Sequence, residues 1–354
     1  MYFKQFLHDE TGCASYFLAS RQSREAAVVD PQLHIQPYLD LAAERGYRIT
    51  DVIDTHLHAD HVSGNRVLAR AAGARIWLHE VADVRFAFSP LADGQQLHLG
   101  QLIVQVLHTP GHRPESVCLL VTNPPRSPMP SIILSGDTLF VGDVGRPDFG
   151  GPDGARTQFD SIQRLLRLED YVEVFPAHFE GSCGKGMCGR PSTTIGFERR
   201  FNPVLQLSAS DFLRTTAEAP ARPLNMTAIM ATNRGEANYA WAMPHDGPGA
   251  QAVPDIEPSG VPEWLQQTGG LVLDVREPSE YAGGHVPGAV SIPQAELASR
   301  LDELAREREL LIVCEGGTRS ARAARFLKQT GFSKVTNLSG GTAAWRSAGL
   351  PTDS

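Results

Sequence analysis

Cysteine is scarce in this chain: five in 354 residues, an odd number at irregular spacing. That excludes a disulfide framework, so any thiol that matters here acts chemically rather than as a staple. Positive charge is also in deficit, with 32 Lys and Arg against 40 Asp and Glu and a net charge of −8. Nucleic-acid affinity comes largely from Lys and Arg displacing counterions, which argues against phosphate-backbone binding as the main activity. No run approaches the roughly 18 apolar residues of a membrane span. The start, MYFKQFLHDETG, has one early Lys, no long apolar core and acids by position 9. It does not read as a secretory signal, and cytoplasm is the expected compartment. No internal repeat is visible. What is present is ordinary globular material, 42% hydrophobic and 20% charged, long enough at about 150 residues per domain for two or three domains.

One stretch stands apart in composition. Residues 243–262, MPHDGPGAQAVPDIEPSGVP, hold five Pro and three Gly without apolar periodicity, as an interdomain linker would. The expected division is a first domain over 1–242, a linker over 243–257 and a second domain over 258–354. A shorter Pro-rich piece, Thr122 to Pro130, reads as a surface loop between strands. The first part carries short aliphatic runs closed by turn residues, at 15–19, 26–29, 52–53, 75–78, 102–107, 117–121 and 132–134. Helical spacing is visible near 37–45 and 159–168. These alternations predict two sheets covered by helices. In the last part, the runs at 271–275, 290–292, 310–313 and 335–338 alternate with helical stretches, which predicts α/β structure with a parallel sheet.

Thr55-His56-Leu57-His58-Ala59-Asp60-His61 follows a strand-like run directly. Four metal-competent side chains within six residues, on a loop at a strand end, are hard to explain by packing. Three more ligand types recur in the same setting. His112 follows Leu102–Leu107, Asp137 follows Ile132–Leu134, and His178 follows Val172–Val174. Strands could deliver all of them to one sheet edge. The other histidines (His8, His34, His79, His98, His108 and His245) lack companions at ligand spacing and read as surface or structural groups. Cys13 and Cys118 lie in apolar runs and read as buried filler.

With its HxHxDH run, downstream His, Asp and final His, the chain resembles the metallo-β-lactamase superfamily over roughly residues 1–240. That resemblance implies an αββα sandwich with a metal site at the edge of its two sheets. Gly145-Arg146-Pro147-Asp148-Phe149 resembles the GRxDF segment of mitochondrial-type persulfide dioxygenases. In that family one Fe(II) is held by residues that correspond here to His56, His112 and Asp137. His58, Asp60, His61 and His178 would then orient ligands and water around it. In the alternative, a zinc thioesterase of glyoxalase II type, all seven would coordinate two Zn, with Asp137 bridging; residue types alone admit either metal. Two His and one carboxylate leave positions open for both O₂ and a substrate, which suits non-haem iron. The Gly-rich, basic segment around Cys183 and Lys185, running to Cys188 and Arg190, resembles that of bacterial persulfide dioxygenases fused to sulfurtransferases and makes Cys183 a second candidate thiol. It departs from the mitochondrial type, which leaves the thiol co-substrate open. Arg146 and Arg190 are candidates for holding an anionic substrate.

Leu310–Val313 reads as a buried strand followed by Cys314-Glu315-Gly316-Gly317-Thr318-Arg319 and then a helix. A Cys facing a helix start meets unpaired N–H groups that stabilise a thiolate or its persulfide. Gly316 and Gly317 let the loop curl around the sulfur and with Thr318 are candidates for binding the substrate, and Arg319 supplies positive charge for an oxyanion. This part resembles the rhodanese (thiosulfate sulfurtransferase) family over about 258–352. Its hallmarks stand in order: Asp274-Val-Arg276-Glu-Pro-Ser-Glu280-Tyr, then Gly284-His285-Val-Pro-Gly288, then CxxGxR. The resemblance makes Cys314 the persulfide carrier and leaves Asp274, Arg276 and His285 to hold the loops. The two halves together imply a persulfide dioxygenase–rhodanese fusion. Its expected partners are a small-molecule persulfide such as glutathione persulfide, O₂, thiosulfate or sulfite, and a thiol, with no nucleic acid and no membrane; a homo-oligomer is open. A sulfur-carrying protein with a degenerate metal site would lack ligands, and none is missing.

Overall fold

The computed structural model describes residues 1–8, 11–151, 153–180, 184, 186–216, 226–237, 253–294, 296–297 and 300–353. It divides into two compact units, Met1–Ala237 and Asn238–Ser354. Residues 243–252 of the expected linker, with Cys183 and Lys185, lie outside the described residues.

The first unit stacks two six-stranded sheets. One runs in the order β1 (Tyr2–His8), β2 (Cys13–Ala19), β3 (Glu25–Val29), β4 (Arg48–Ile53), β5 (Arg75–His79) and β6 (Ser89–Leu91). The other comprises β7 (Gln96–Leu99), β8 (Leu102–His108), β9 (Val117–Thr122), β10 (Pro130–Gly136), β11 (Glu173–Pro176) and β12 (Thr193–Thr194), in the order 12-11-10-9-8-7. Alternation along each strand explains the layering, because successive side chains point to opposite faces. On β2, Ala14, Tyr16 and Leu18 join the core between the sheets. Phe17 and Ala19 face the outer layer with Tyr38 of α1 (Gln36–Arg45) and Leu68 of α2 (Asn65–Ala72). On β9, Val117, Leu119 and Val121 face the same inner core, while Cys118 and Leu120 meet Ile162 and Leu165 of α3 (Gly154–Leu165). Strands buried on both faces read as continuous apolar runs, as these do. Each fully buried Leu contributes about 1.5–3 kcal/mol, and Leu119→Ala would cost about 2–5 kcal/mol through the cavity it leaves.

Among the described residues the unit also holds α4 (Ile195–Phe201), α5 (Ala209–Thr216) and α6 (Met226–Asn233). The expectation of two helix-covered sheets stands. The sequence reading missed β1, whose apolar and polar residues do not alternate cleanly; it pairs antiparallel with β2 from Tyr2↔Ala19 to His8↔Cys13.

The second unit is a five-stranded sheet of β13 (Asp255–Ile256), β14 (Leu271–Asp274), β15 (Val290–Ser291), β16 (Leu310–Val313) and β17 (Val335–Leu338), in the order 13-17-16-14-15. All its pairings are parallel, as the strand–helix alternation predicts. Helices α7 (Val261–Thr268), α8 (Pro278–Ala282) and α9 (Thr318–Gln329) lie between its strands in sequence, and α10 (Gly341–Ser347) follows β17. β16 is buried on both faces: Leu310 and Ile312 pack with Ala323 and Leu327 of α9, while Leu311 and Val313 pack with Val261 and Trp345.

Candidate metal centre and sulfur-transfer loop

The ligand-type residues of the first unit sit just beyond strand ends. The 55–61 loop follows β4, which runs parallel between β3 and β5. Asp137 follows β10, His112 lies four residues past β8, and His178 lies two past β11. Gly136, at φ +52, makes the turn into Asp137, and a Cβ there would stand 2.8 Å from Thr55 Oγ1.

These side chains sort into three buried sets. His56, His112 and Asp137 place one ligand atom each within 4.8 Å of one another. Asp137 Oδ2 faces His56 Nε2 at 3.6 Å and His112 Nε2 at 3.5 Å, yet has no hydrogen-bond partner. The opposite ring nitrogens are engaged: His56 Nδ1 with Thr55 Oγ1 at 3.0 Å, and His112 Nδ1 with the Arg146 carbonyl at 2.9 Å. Two imidazole lone pairs and an orphaned carboxylate oxygen converging in a buried site fit a cation. Burial first, then the neighbouring His58, holds the His56 imidazole well below its usual range, so it is neutral and able to ligate. Burial alone would raise the Asp137 carboxyl, but His178 and His56 outweigh it and keep Asp137 ionised.

The second set is Cys13, Asp60, His61 and His178. Asp60 Oδ2 accepts from His178 Nε2 at 2.9 Å, His61 Nδ1 at 3.1 Å and the Cys13 thiol at 3.2 Å. His178 Nδ1 reaches Asp137 Oδ1 at 2.8 Å and so ties this set to the first. Burial opposes charge on both partners, but Asp60 raises His61 well above the usual imidazole range, and His61 and His178 keep Asp60 ionised. Burial and Asp60 push the Cys13 thiol up, while His178 and His61 draw it down further, to a net lowering. The reading of Cys13 as passive filler therefore needs correction. It is buried, but an antiparallel bridge between Cys13 and His178 brings its sulfur into the polar network. Cys118 does behave as filler, packed under α3 with burial raising its thiol to about 11.

The third set is His58 with Asp30 and Asp54. His58 Nε2 meets Asp30 Oδ1 at 3.2 Å. Burial lowers the His58 imidazole and Asp30 raises it, with a net rise. Asp54 accepts from Ser63 Oγ and Asn65 Nδ2, and burial lifts its carboxyl to about 6. Sequence reasoning missed Asp30, although it ends an apolar strand as Asp137 does.

The Gly145–Phe149 segment backs the first set. A Cβ on Gly145 would lie 1.8 Å from the Asp137 carbonyl oxygen. The Arg146 carbonyl accepts a hydrogen bond from His112 Nδ1, and the Phe149 ring packs edge-on against His112 at 5.6 Å. The Arg146 side chain, expected to hold substrate, is buried over Phe149 with its Nε and Nη2 on the two Asp148 oxygens. The carboxylate of Asp148 balances its charge. Gln158 of α3, also unforeseen, ties the two ligand loops by accepting from His112 N–H at 2.7 Å and donating to the Thr138 carbonyl at 2.8 Å. Arg190 is exposed.

In the second unit, Cys314 ends β16 and is buried. Its sulfur accepts from Gly317 N–H at 3.1 Å and lies 3.2 Å from Ser320 Oγ. Gly317 at φ +90 is the N-cap of α9, so Thr318 starts the helix, and open space surrounds Gly316. Such a loop cradles an anionic sulfur with backbone donors. Arg319, expected to face an oxyanion, instead gives both Nη groups to Glu280 at 2.7 and 2.6 Å. Glu315 is tied to Arg276, Arg346 and Thr342. Arg276, fully buried, is also forked onto Asp274.

Comparison with known proteins agrees with both units. Residues 8–178 match the metallo-beta-lactamase superfamily and residues 258–348 the rhodanese-like domain. The mitochondrial persulfide dioxygenase ETHE1 of Homo sapiens is 29% identical over 213 residues, 56% of this chain and 74% of that protein. Among solved structures, a metallo-beta-lactamase from Staphylococcus aureus aligns over 95% of this chain and 98% of its own, with 27% identity and a TM-score of 0.69. ETHE1 from Myxococcus xanthus aligns over 67% of this chain and all of its own, with 30% identity and a TM-score of 0.60. No helix among the described residues is long and apolar enough to cross a membrane. The chain belongs to the metallo-β-lactamase superfamily, has ETHE1 proteins among its relatives, and carries a C-terminal rhodanese-like domain.

Proposed function

We propose that the chain is a persulfide dioxygenase joined to a sulfurtransferase, with the first activity in residues 1–242 and the second in the C-terminal domain, whose sheet takes in β13 (Asp255–Ile256) from the stretch expected at 243–257 to be linker. One observation carries the reading of the first domain. His56, His112 and Asp137 bring two imidazole nitrogens onto one orphaned carboxylate oxygen, while Asp60, His61, His178 and Cys13 are hydrogen-bonded to one another and keep Asp60 Oδ1 and His61 Nε2 unpartnered. The two-His, one-carboxylate donor set of the first group supports a single Fe(II) there. Iron held there supplies open coordination positions and electrons for chemistry with O₂.

The substrate is a low-molecular-weight persulfide of glutathione type. R–S–SH, O₂ and H₂O yield R–SH and sulfurous acid: the terminal sulfur is oxidised, O₂ is reduced, and the S–S bond breaks with the thiol as leaving group. His178, held between Asp60 and Asp137, can carry a proton to the departing thiol. Arg190, which is exposed, would meet the substrate's carboxylates, and Cys183 would be a second thiol able to carry sulfane sulfur.

In the second domain, the Cys314 thiolate attacks the outer sulfur of thiosulfate and releases sulfite. Gly317 N–H and the start of α9 stabilise the resulting Cys314 persulfide. A thiol then takes that sulfur and regenerates Cys314, so the exchange can supply substrate or remove product. The working compartment is the cytoplasm. The test is Cys314→Ser in the iron-loaded protein. Sulfurtransferase activity is lost and persulfide-dependent O₂ uptake remains; loss of both in a folded, metal-loaded variant would overturn the two-site reading.

A further inference from the structure

Asp30 is buried at the end of β3 with φ +50, a backbone conformation that non-glycine residues adopt rarely. Its carboxylate accepts from Thr55 and His58, with the Asp54 carboxylate in the same cluster. Oδ1 accepts Thr55 N–H at 2.7 Å and meets His58 Nε2 at 3.2 Å; Oδ1 and Oδ2 lie 3.1 and 2.9 Å from Thr55 Oγ1. A carboxylate can only accept, so it draws the Thr55 hydroxyl proton to itself. Thr55 Oγ1 must then accept from His56 Nδ1, 3.0 Å away. The proton on His56 is thereby fixed on Nδ1 and the lone pair on Nε2, facing the unpartnered Asp137 Oδ2 at 3.6 Å. The alternative tautomer is close at hand, because an Nε2–H would find that same orphaned oxygen.

We propose that Asp30 and Thr55 form a tautomer lock: a carboxylate–hydroxyl relay that keeps the metal-facing nitrogen of His56 unprotonated. Asp30 applies the same constraint directly to His58, whose Nε2–H it accepts and whose Nδ1 is left without a partner. Both are positioning residues, since neither touches substrate. The proposal rests on His56 being a metal ligand, but not on which metal is bound.

The test is made on the full chain with Thr55→Val, which keeps shape and removes the hydroxyl, and Thr55→Ser, which keeps the hydroxyl. Long-range ¹H–¹⁵N spectra of the metal-free protein read the imidazole tautomers, and chelator competition with Fe(II) under anaerobic conditions reads affinity. The parent and Thr55→Ser show His56 protonated on Nδ1. Thr55→Val shows it on Nε2, with Fe(II) affinity lower by about 10–100-fold. Asp30→Asn shifts both readouts the same way and is decisive if Thr55→Val does not fold. A folded Thr55→Val that keeps the parent tautomer, with affinity within about twofold, would overturn the lock. So would a Thr55→Ser that behaves like Val. A parent that binds no metal yet shows the expected tautomers would refute the metal reading and leave the relay standing.

Discussion

Replacing Gly145 by Ala tests the claim that the Gly145–Phe149 segment exists to hold metal ligands. A Cβ at 145 would stand 1.8 Å from the Asp137 carbonyl oxygen, 2.9 Å from its carbon and 3.4 Å from His112 Cβ. The first contact lies about 1.6 Å inside ordinary van der Waals distance, and the obstacle is backbone, which cannot rotate away. Overpacking of this kind costs about 1–3 kcal/mol in stability. The functional cost is larger, because the residue displaced is Asp137 itself, and a shift of about 1 Å at a reacting centre can cost about 100-fold in rate. Gly186→Ala is the control, since its nearest neighbours lie at 3.8 Å or beyond. The assays are urea unfolding, iron content and persulfide-dependent O₂ uptake. The expected Gly145→Ala protein is folded, destabilised by about 1–3 kcal/mol, poor in iron and depressed at least about 10-fold in turnover. A Gly145→Ala protein that loads iron and turns over like Gly186→Ala would refute the packing argument.

Other consequences are as direct. Removing metal with a chelator should lower the stability of the first domain, by about 4 kcal/mol where the ion was present at about a thousand times its dissociation constant; an unchanged melting curve would mean that the centre binds nothing. Glu280 holds Arg319 beside the Cys314 loop; burial raises its carboxyl, but Arg319 brings it to a net lowering. A lowered carboxyl stabilises the fold above its unfolded pKa of about 4.3, an effect lost as pH falls through the folded value. Glu280→Gln should therefore be weaker than the parent by about 1 kcal/mol at neutral pH and equal to it in strong acid, with solvent screening limiting the gap. An equal deficit at both pH values would contradict the ion-pair reading. Gln158→Leu removes the tie between the His112 and Asp137 loops while keeping size, and should reduce iron affinity by about 10–100-fold with the fold intact. Unaltered affinity would show that the loops position themselves.

Much of this architecture was legible because each ligand type stands just beyond an apolar strand, and strands can carry distant residues to one edge. The rhodanese loop was legible for a similar reason: a strand, a Cys, two Gly and a helix start are contiguous in sequence. The partners were not legible. Cys13 reaches His178 only through a bridge between residues 165 positions apart, and Asp30 reaches Thr55 and His58 only because β3 pairs in parallel with β4. Asp30 did carry a signal, an acid closing the Ala26–Val29 run before Pro31, the same setting that singled out Asp137. Arg146 and Arg319 looked like open cations because residue type gives charge but not its pairing. Asp148 and Glu280 each match a guanidinium fork, and such bidentate geometry emerges only in the fold.

The central claim is that His56, His112 and Asp137 hold one iron that oxidises a persulfide. Elemental analysis of freshly purified protein, alongside O₂ uptake on adding glutathione persulfide, tests it most directly. About one iron per chain is expected, as a two-His, one-carboxylate site implies, with uptake that requires the persulfide. Two zinc ions per chain and no uptake would contradict it, making the first domain a hydrolase and leaving sulfur chemistry to Cys314 alone.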